Sequence, residues 1–337
     1  MESNLEALLK QFIPGSKWNV KQGKGGVNNT TRFVETAKEK YVLRIYETHR
    51  DMDKVKYEHS VLSELEKTGV AFGTPRPVKG IDNQTVKYTE DGRLAALFSY
   101  MEGITPVFDK PRQLYSFGLT TAKLTCTLVN IKTELAPVYR PYYEIENTHP
   151  KCSVGDVIRF CEMPSPEFTE YKAELLEVAA QLKKFRENLT GLRQLPHQLI
   201  HGDLNASNVL ADTEGNICAV LDFEFVTEDL RVMELCVCLS EIINMEQTKE
   251  ALWEKLRAFL EGYGTVLKLT GAEISVIPLL IMLRRLDVFI HFLGRFRDGI
   301  DRMDIVIDQM KNVAAQARWL EAHEHKIMAM CCSLVGM

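Results

Sequence analysis

The stretch from Leu199 to Phe225 constrains this chain more than any other. It begins Leu199-Ile200-His201-Gly202-Asp203-Leu204-Asn205-Ala206-Ser207-Asn208-Val209-Leu210 and resumes, after a short gap, as Ala219-Val220-Leu221-Asp222-Phe223-Glu224-Phe225. Leu199 and Ile200 read as a short apolar strand, with Asp203 in the loop that follows. Val209-Leu210 opens a second strand with Asn208 at its mouth. Residues 212–216, Asp-Thr-Glu-Gly-Asn, have turn composition, and Ala219 to Leu221 make the return strand. Pairing across that turn brings Asp222 back to the end that holds Asn208, so two oxygen-bearing side chains are presented together.

That arrangement suits one kind of chemistry. Magnesium takes oxygen ligands, keeps several waters, and needs only one or two protein groups when phosphates supply the rest. Asp222 offers a carboxylate and Asn208 an amide oxygen. Asp203 is then placed to accept the proton of an attacking hydroxyl. Phosphoryl transfer asks a protein mainly to align groups and neutralise charge. An Asp, an Asn five residues on and an Asp beyond a hairpin is the spacing that kinases use for it. The bland alternative makes His-Gly-Asp a turn and Asp222 a helix cap. Each fragment alone fits that alternative; together, with both strands in place, they favour phosphoryl transfer.

The loop carries His201-Gly202-Asp203 where a protein kinase has His-Arg-Asp. In this it resembles the aminoglycoside phosphotransferase, choline kinase and homoserine kinase type II family of protein-kinase-like small-molecule kinases. Leu221-Asp222-Phe223-Glu224-Phe225 is most similar to the choline/ethanolamine kinase version. Gly25-Gly26-Val27-Asn28-Asn29-Thr30 and Tyr41-Val42-Leu43-Arg44-Ile45-Tyr46-Glu47 look more like homoserine kinase type II. The similarity spans most of the chain, from about residue 15 to residue 300. The resemblance implies an ATP- and Mg2+-dependent kinase acting on a hydroxyl of a small molecule, with Asp203 as catalytic base and Asn208 and Asp222 as metal ligands. It leaves the acceptor open.

Length and composition bound the rest. At 337 residues the chain fits two domains or one bilobal unit. A net charge of -5 argues against a dedicated nucleic-acid binder, while leaving room for a local basic cleft. No apolar run approaches the ~18 residues of a transmembrane helix, and Met-Glu-Ser-Asn-Leu-Glu lacks the basic and apolar regions of a secretory signal. No membrane or nucleic-acid partner is expected. The eight Cys form no Cys-x-x-Cys pair, so a structural zinc site is not expected. Most lie in apolar runs as small core residues, which fits a reducing, cytoplasmic location.

Periodicity predicts an α+β chain. Residues 3–12 form an amphipathic helix with Leu5, Leu8, Leu9 and Phe12 on one face. Residues 31–36 and 41–46 alternate as a hairpin around a charged turn, and 86–89 pairs with 94–100 around Glu90-Asp91-Gly92. Residues 54–67 are helical, with Gly69 just past the end. Beyond Gly103 the pattern turns mainly helical, over 113–129, 169–188, 232–246, 249–269, 274–296 and 301–324, with the catalytic hairpins set into it. Residues 137–166 have the Pro, Gly and charge content of a long insertion. With the resemblance, this gives a bilobal protein-kinase-like fold. Residues 1–101 form an antiparallel-sheet nucleotide-binding lobe, and 102–337 a mainly helical catalytic and substrate-binding lobe.

On the nucleotide side, Gly25 and Gly26 precede a strand and let backbone N–H groups approach phosphate, with the small polar Asn28 following. An ordinary hairpin turn is the competing reading there. A kinase of this fold places a cation on its third strand, paired with a helix Glu. Arg44 and Glu58 occupy those places; Lys is the usual cation in protein kinases, and the resemblance extends to members with Arg. The competing reading is a surface Arg and a solvated Glu, because an Arg between Leu43 and Ile45 can point to either face. Residues 98–103 would be the hinge, with backbone groups near Ser99 and Met101 meeting adenine, as the resemblance implies.

On the acceptor side the sequence says less. His201 reads as a group orienting the catalytic loop. Glu224 is either a metal ligand or a group supporting one. At Glu234 the family often has Asp, which supports the loop; the longer side chain departs from that pattern. Arg284, Asp287 and His291 share a helical face and read as a salt-bridged, exposed polar stripe rather than an acceptor site. Tyr139, Tyr142 and Tyr143 either cage an ammonium group or pack the insertion onto the fold. The expected reaction is phosphorylation of an amino alcohol or hydroxy-amino acid such as homoserine or choline. An aminoglycoside or amino-sugar kinase is the alternative, and a catalytically silent kinase-like binding protein is the alternative of another class.

Overall fold

Strand periodicity decides which way the sheet faces. In the computed structural model, which describes residues 2–23, 29–47, 50–243 and 249–337, β1 (Trp18–Gln22), β2 (Asn29–Thr36), β3 (Lys40–Tyr46), β4 (Val86–Tyr88) and β5 (Leu94–Ser99) form one antiparallel sheet in the order β1-β2-β3-β5-β4. Leu43, Ala95 and Leu97 pack with Leu8, Leu9 and Phe12 of α1 (Glu2–Phe12), and Tyr41 and Ile45 join them. Side chains alternate across a strand, so Arg44 and Tyr46 emerge on the opposite face. There they meet α2 (Met52–Lys67). Asp51 caps that helix by accepting from the amides of Asp53 and Lys54 at 3.0 and 3.4 Å. Gly69, at φ +65°, lies just beyond its end.

β7 (Val209–Ala211) and β8 (Ile217–Val220) form the expected hairpin, with Val209 opposite Val220. Its turn is built by Asp212, whose Oδ1 accepts from the amides of Glu214 and Asn216, both at 2.9 Å, and by Gly215 at φ +86°. Isolated bridges join Ala219 to Gly73 and Ala211 to Ile104. The hairpin therefore clusters with the sheet. One compact unit comprises Met1–Pro106, Asn130–Tyr139 and Ser207–Val226.

The second unit comprises Val107–Val129, Arg140–Ala206 and Thr227–Met337. It holds α3 (Pro111–Leu128), α4 (Val154–Glu162), α5 (Lys172–Leu192), α6 (Arg231–Ile243), α7 (Lys249–Gly264), α8 (Gly271–Ser275), α9 (Ile277–Arg297) and α10 (Met303–Val335). It also holds an antiparallel pair, β6 (His197–Ile200) with β9 (Thr227–Leu230). α3 and α7 cross where Gly118 and Gly262 face the partner backbone; a Cβ on either would fall about 2 Å from the carbonyl oxygen of Phe259 or Tyr115.

Several elements differ from expectation for identifiable reasons. β1 and β9 have too few apolar residues to announce themselves. α4, nine residues long and capped by Ser153, lies inside the stretch read as an insertion. Pro278 fits only a first turn, so the helix expected from residue 274 starts at Ile277. α10 runs on to Val335 because Ile327, Met330, Cys331 and Val335 continue its buried face. Among the described residues no helix is long and apolar enough to cross a membrane.

Candidate active site

In the first unit, β3 and α2 bring Arg44 and Glu58 together. Arg44 Nη1 donates to Glu58 Oε1 at 3.0 Å, and Tyr46 Oη donates to Glu58 Oε2 at 3.1 Å. The Glu58 side chain is 2% exposed and that of Arg44 15%, so neither is the solvated surface residue of the competing reading. The guanidinium lies 5.2 Å from the centre of the Phe98 ring. It also reaches the β7–β8 hairpin, with Nη2 3.1 Å from Asp222 Oδ1. Burial works against the charge on Arg44, but Asp222 and Glu58 hold its pKa well above the ordinary value. Burial also lifts Glu58, to about 7, with Arg44 pulling against it.

The hairpin carries both candidate metal ligands at one end, as its register requires. The Leu221 amide donates to the Asn208 carbonyl at 2.8 Å, which ties the residue before Asp222 to Asn208. Asp222 itself adopts a left-handed backbone, φ 61° and ψ 67°, a conformation that Asp tolerates better than most residues and that concentrates at functional sites. Asp222 Oδ1 is buried and makes no hydrogen bond, its contact with Arg44 being ionic. Glu224 follows in a 3-10 turn and is buried; Asn29 Nδ2 donates to its Oε2 at 2.8 Å. Asn29 Oδ1 makes no hydrogen bond.

The remaining residues read as nucleotide contacts have these surroundings. Gly25, Gly26 and Asn28 lie outside the described residues. Ser99 ends β5, and its amide and hydroxyl are both engaged with the Arg76 backbone at 2.9 Å. Met101 lies just beyond, its sulfur within 2.9 Å of where a Gly73 Cβ would sit.

In the second unit, Asp203 follows β6 in a loop held from beneath. Glu234 of α6 is fully buried and accepts the His201 amide. The longer side chain therefore still reaches the loop. Burial raises its pKa to about 8, against the backbone hydrogen bonds from His201 and Gly202. The Asp203 amide donates to His201 Nδ1 at 3.2 Å.

The helical face of Arg284, Asp287 and His291 departs from the exposed stripe expected. Arg284 forms an ion pair with Asp203 and is only 13% exposed. Asp287 accepts from Thr148 Oγ1 at 2.7 Å, and its pKa is raised by burial. Burial lowers His291 to about 4, leaving it neutral near pH 7. Spacing marks the shared face; it does not say whether that face looks inward. The three tyrosines have different neighbours. Tyr139 packs on Phe225 with the Lys54 ammonium 4.1 Å from its ring centre, Tyr142 donates to the Gly202 carbonyl, and Tyr143 meets His197 edge-on.

Comparison with known proteins places this geometry in a family. A family model described as a phosphotransferase enzyme family matches residues 19–269. A homoserine kinase of Bradyrhizobium diazoefficiens is 26% identical over 285 residues, covering 82% of this chain and 79% of that protein. A homoserine kinase of a Chelativorans species is 27% identical over 286 residues, covering 83% and 81%. Among solved structures, an amicoumacin kinase in complex with AMP-PNP and Ca2+ superposes with a TM-score of 0.67 at 18% identity, over 94% of this chain and 93% of that one. A microcompartment-associated aminopropanol kinase superposes with a TM-score of 0.65 at 15% identity, over 97% and 99%. These likenesses show the protein-kinase-like phosphotransferase fold, and the match over residues 19–269 shows that the chain belongs to the phosphotransferase enzyme family.

Proposed function

We propose that the protein is an ATP- and magnesium-dependent kinase that phosphorylates the hydroxyl of a small amino alcohol or hydroxy-amino acid, with L-homoserine the leading acceptor. The observation that carries the reading is the ion-paired set of buried Glu58, largely buried Arg44 and half-buried Asp222, joined through the β7–β8 hairpin to Asn208. In this reading Arg44 neutralises nucleotide phosphate and Glu58 orients it. Asn208 and Asp222 hold the metal, and Asp203 accepts the acceptor's proton. Residues 1–101 serve the nucleotide, with Gly25, Gly26, Asn28, Ser99 and Met101 as further contacts. Residues 102–337 carry the catalytic loop and the acceptor side.

The residues fit magnesium. Asp222 Oδ1 and Asn29 Oδ1 are buried oxygens without hydrogen bonds, and a carboxylate with amide oxygens is a hard, oxygen-only donor set. Among the described residues no group of three or more His, Cys, Asp and Glu gathers to hold a metal by itself. An ion here would complete its shell with phosphate oxygens and water. Bound there, it would neutralise and align the nucleotide's phosphates. A reducing, cytoplasmic location is part of this reading, on the cysteine usage of the sequence.

An ADP-release screen over hydroxylated amines, amino acids, sugars and aminoglycosides tests the substrate class. Acceleration by L-homoserine or a related amino alcohol is expected. Preference for an aminoglycoside would overturn that class. No acceleration by any acceptor, with Mg·ATP bound, would favour a silent nucleotide-binding protein.

A further inference from the structure

Asp203 is held by more than its own loop. Arg284, on α9, pairs through Nη2 with Asp203 Oδ1, and its Nη1 donates to the Tyr142 hydroxyl at 2.6 Å. That hydroxyl donates to the carbonyl of Gly202, the residue before Asp203, at 2.7 Å. The contacts close a ring through Arg284, Tyr142, Gly202 and Asp203. Tyr142 is fixed in turn, because its amide donates to Asp229 Oδ2 at 2.6 Å. Arg284 and Asp203 are 13% and 19% exposed. A pair buried to this degree recovers little net stability after desolvation, so its constraint on geometry is the more informative property. A guanidinium is suited to that task, since its planar fork fixes direction as well as charge.

We propose that Arg284 and Tyr142 are positioning residues for Asp203. The guanidinium holds one carboxylate oxygen and the tyrosine hydroxyl holds the loop, so that the other oxygen is aimed at the acceptor. This rests on the reading of Asp203 as base. In the step it serves, the acceptor oxygen bonds to the γ-phosphorus, the bond from that phosphorus to the β,γ-bridging oxygen breaks, ADP leaves, and the acceptor's proton passes to Asp203. The charged and titratable groups facing the pair are Tyr142 (itself faced by Asp229), Glu234 and Glu241 of α6, and Arg285, Asp287 and His291 on α9 itself.

The test uses the full chain with Mg·ATP and the acceptor giving fastest wild-type turnover, starting from L-homoserine. Tyr142→Phe keeps the ring and removes only the hydroxyl. A kcat loss of roughly 10–100-fold is expected for Tyr142→Phe and Arg284→Met, with KM for ATP unchanged. Arg284→Lys should recover part of the loss. The acid limb of kcat/KM should move to higher pH in Arg284→Met, where the carboxylate loses its cation, and stay in place in Tyr142→Phe. If Arg284→Met fails to fold, Tyr142→Phe and Arg284→Lys decide. Wild-type kcat in both, with normal melting, would overturn the inference while an inactive Asp203→Asn left the parent reading intact. A higher kcat in Arg284→Met would overturn it too, by making the pair an inhibitory latch. Full activity in Asp203→Asn would overturn both.

Discussion

Arg44 stands between two carboxylates, Glu58 at 3.0 Å and Asp222 at 3.1 Å, and its proposed role depends on both. If it neutralises phosphate and Glu58 aims it, Arg44→Ala and Glu58→Ala should each lower kcat/KM for ATP, and the double variant should lose little more than either. Groups acting through one contact share one loss. Arg44→Lys should restore activity only in part, because Lys keeps the charge without the fork. A double-mutant cycle with thermal melts as the folding control measures this; strict additivity would contradict the pairing. The identity of this pair was legible in the sequence, but its direction was not. Leu43 and Ile45 flank Arg44 equally under either orientation, and only α1 packing on their face sends Arg44 to the other. Arg284 was harder still, since helical spacing gives neighbours on a face without saying what that face meets.

At the scale of elements, the β7–β8 hairpin converts sequence spacing into a pair of proposed metal ligands. Its turn chemistry and apolar strands could be read directly, because Asp-Thr-Glu-Gly-Asn is short and local. β9 was hidden because Thr227–Leu230 has a single apolar residue and owes its strand form to pairing with β6. α4 was hidden by the Pro residues around it. The hairpin's proposed role predicts that Asn208→Ala and Asp222→Ala weaken Mg·ATP binding far more than binding of metal-free nucleotide, since in that role they would touch the ion and not adenine. Losing the metal contact should cost about tenfold or more in affinity. Calorimetry with and without magnesium decides; equal losses in both would point to misfolding or another metal site.

Over the whole molecule, burial sets a pH dependence. Glu234 is lifted from its ordinary value to about 8, chiefly by burial, and Asp229 likewise to about 7. A carboxyl whose pKa is raised on folding stabilises the fold fully below its unfolded value, and that contribution is lost as pH rises through the folded one. The Glu234 contribution should therefore be lost between about pH 5 and 8, so over that range Tm should fall more, or rise less, in the wild type than in Glu234→Gln. An unchanged slope in the variant would contradict a protonated, buried Glu234. The reaction as proposed assigns roles to residues of both units, and one substitution tests its centre. Asp203→Asn keeps the shape of the side chain and removes the base. With the acceptor found by the screen, kcat should fall roughly 10²–10⁴-fold while Mg·ATP affinity stays near that of the wild type. Turnover at the wild-type rate would contradict the account.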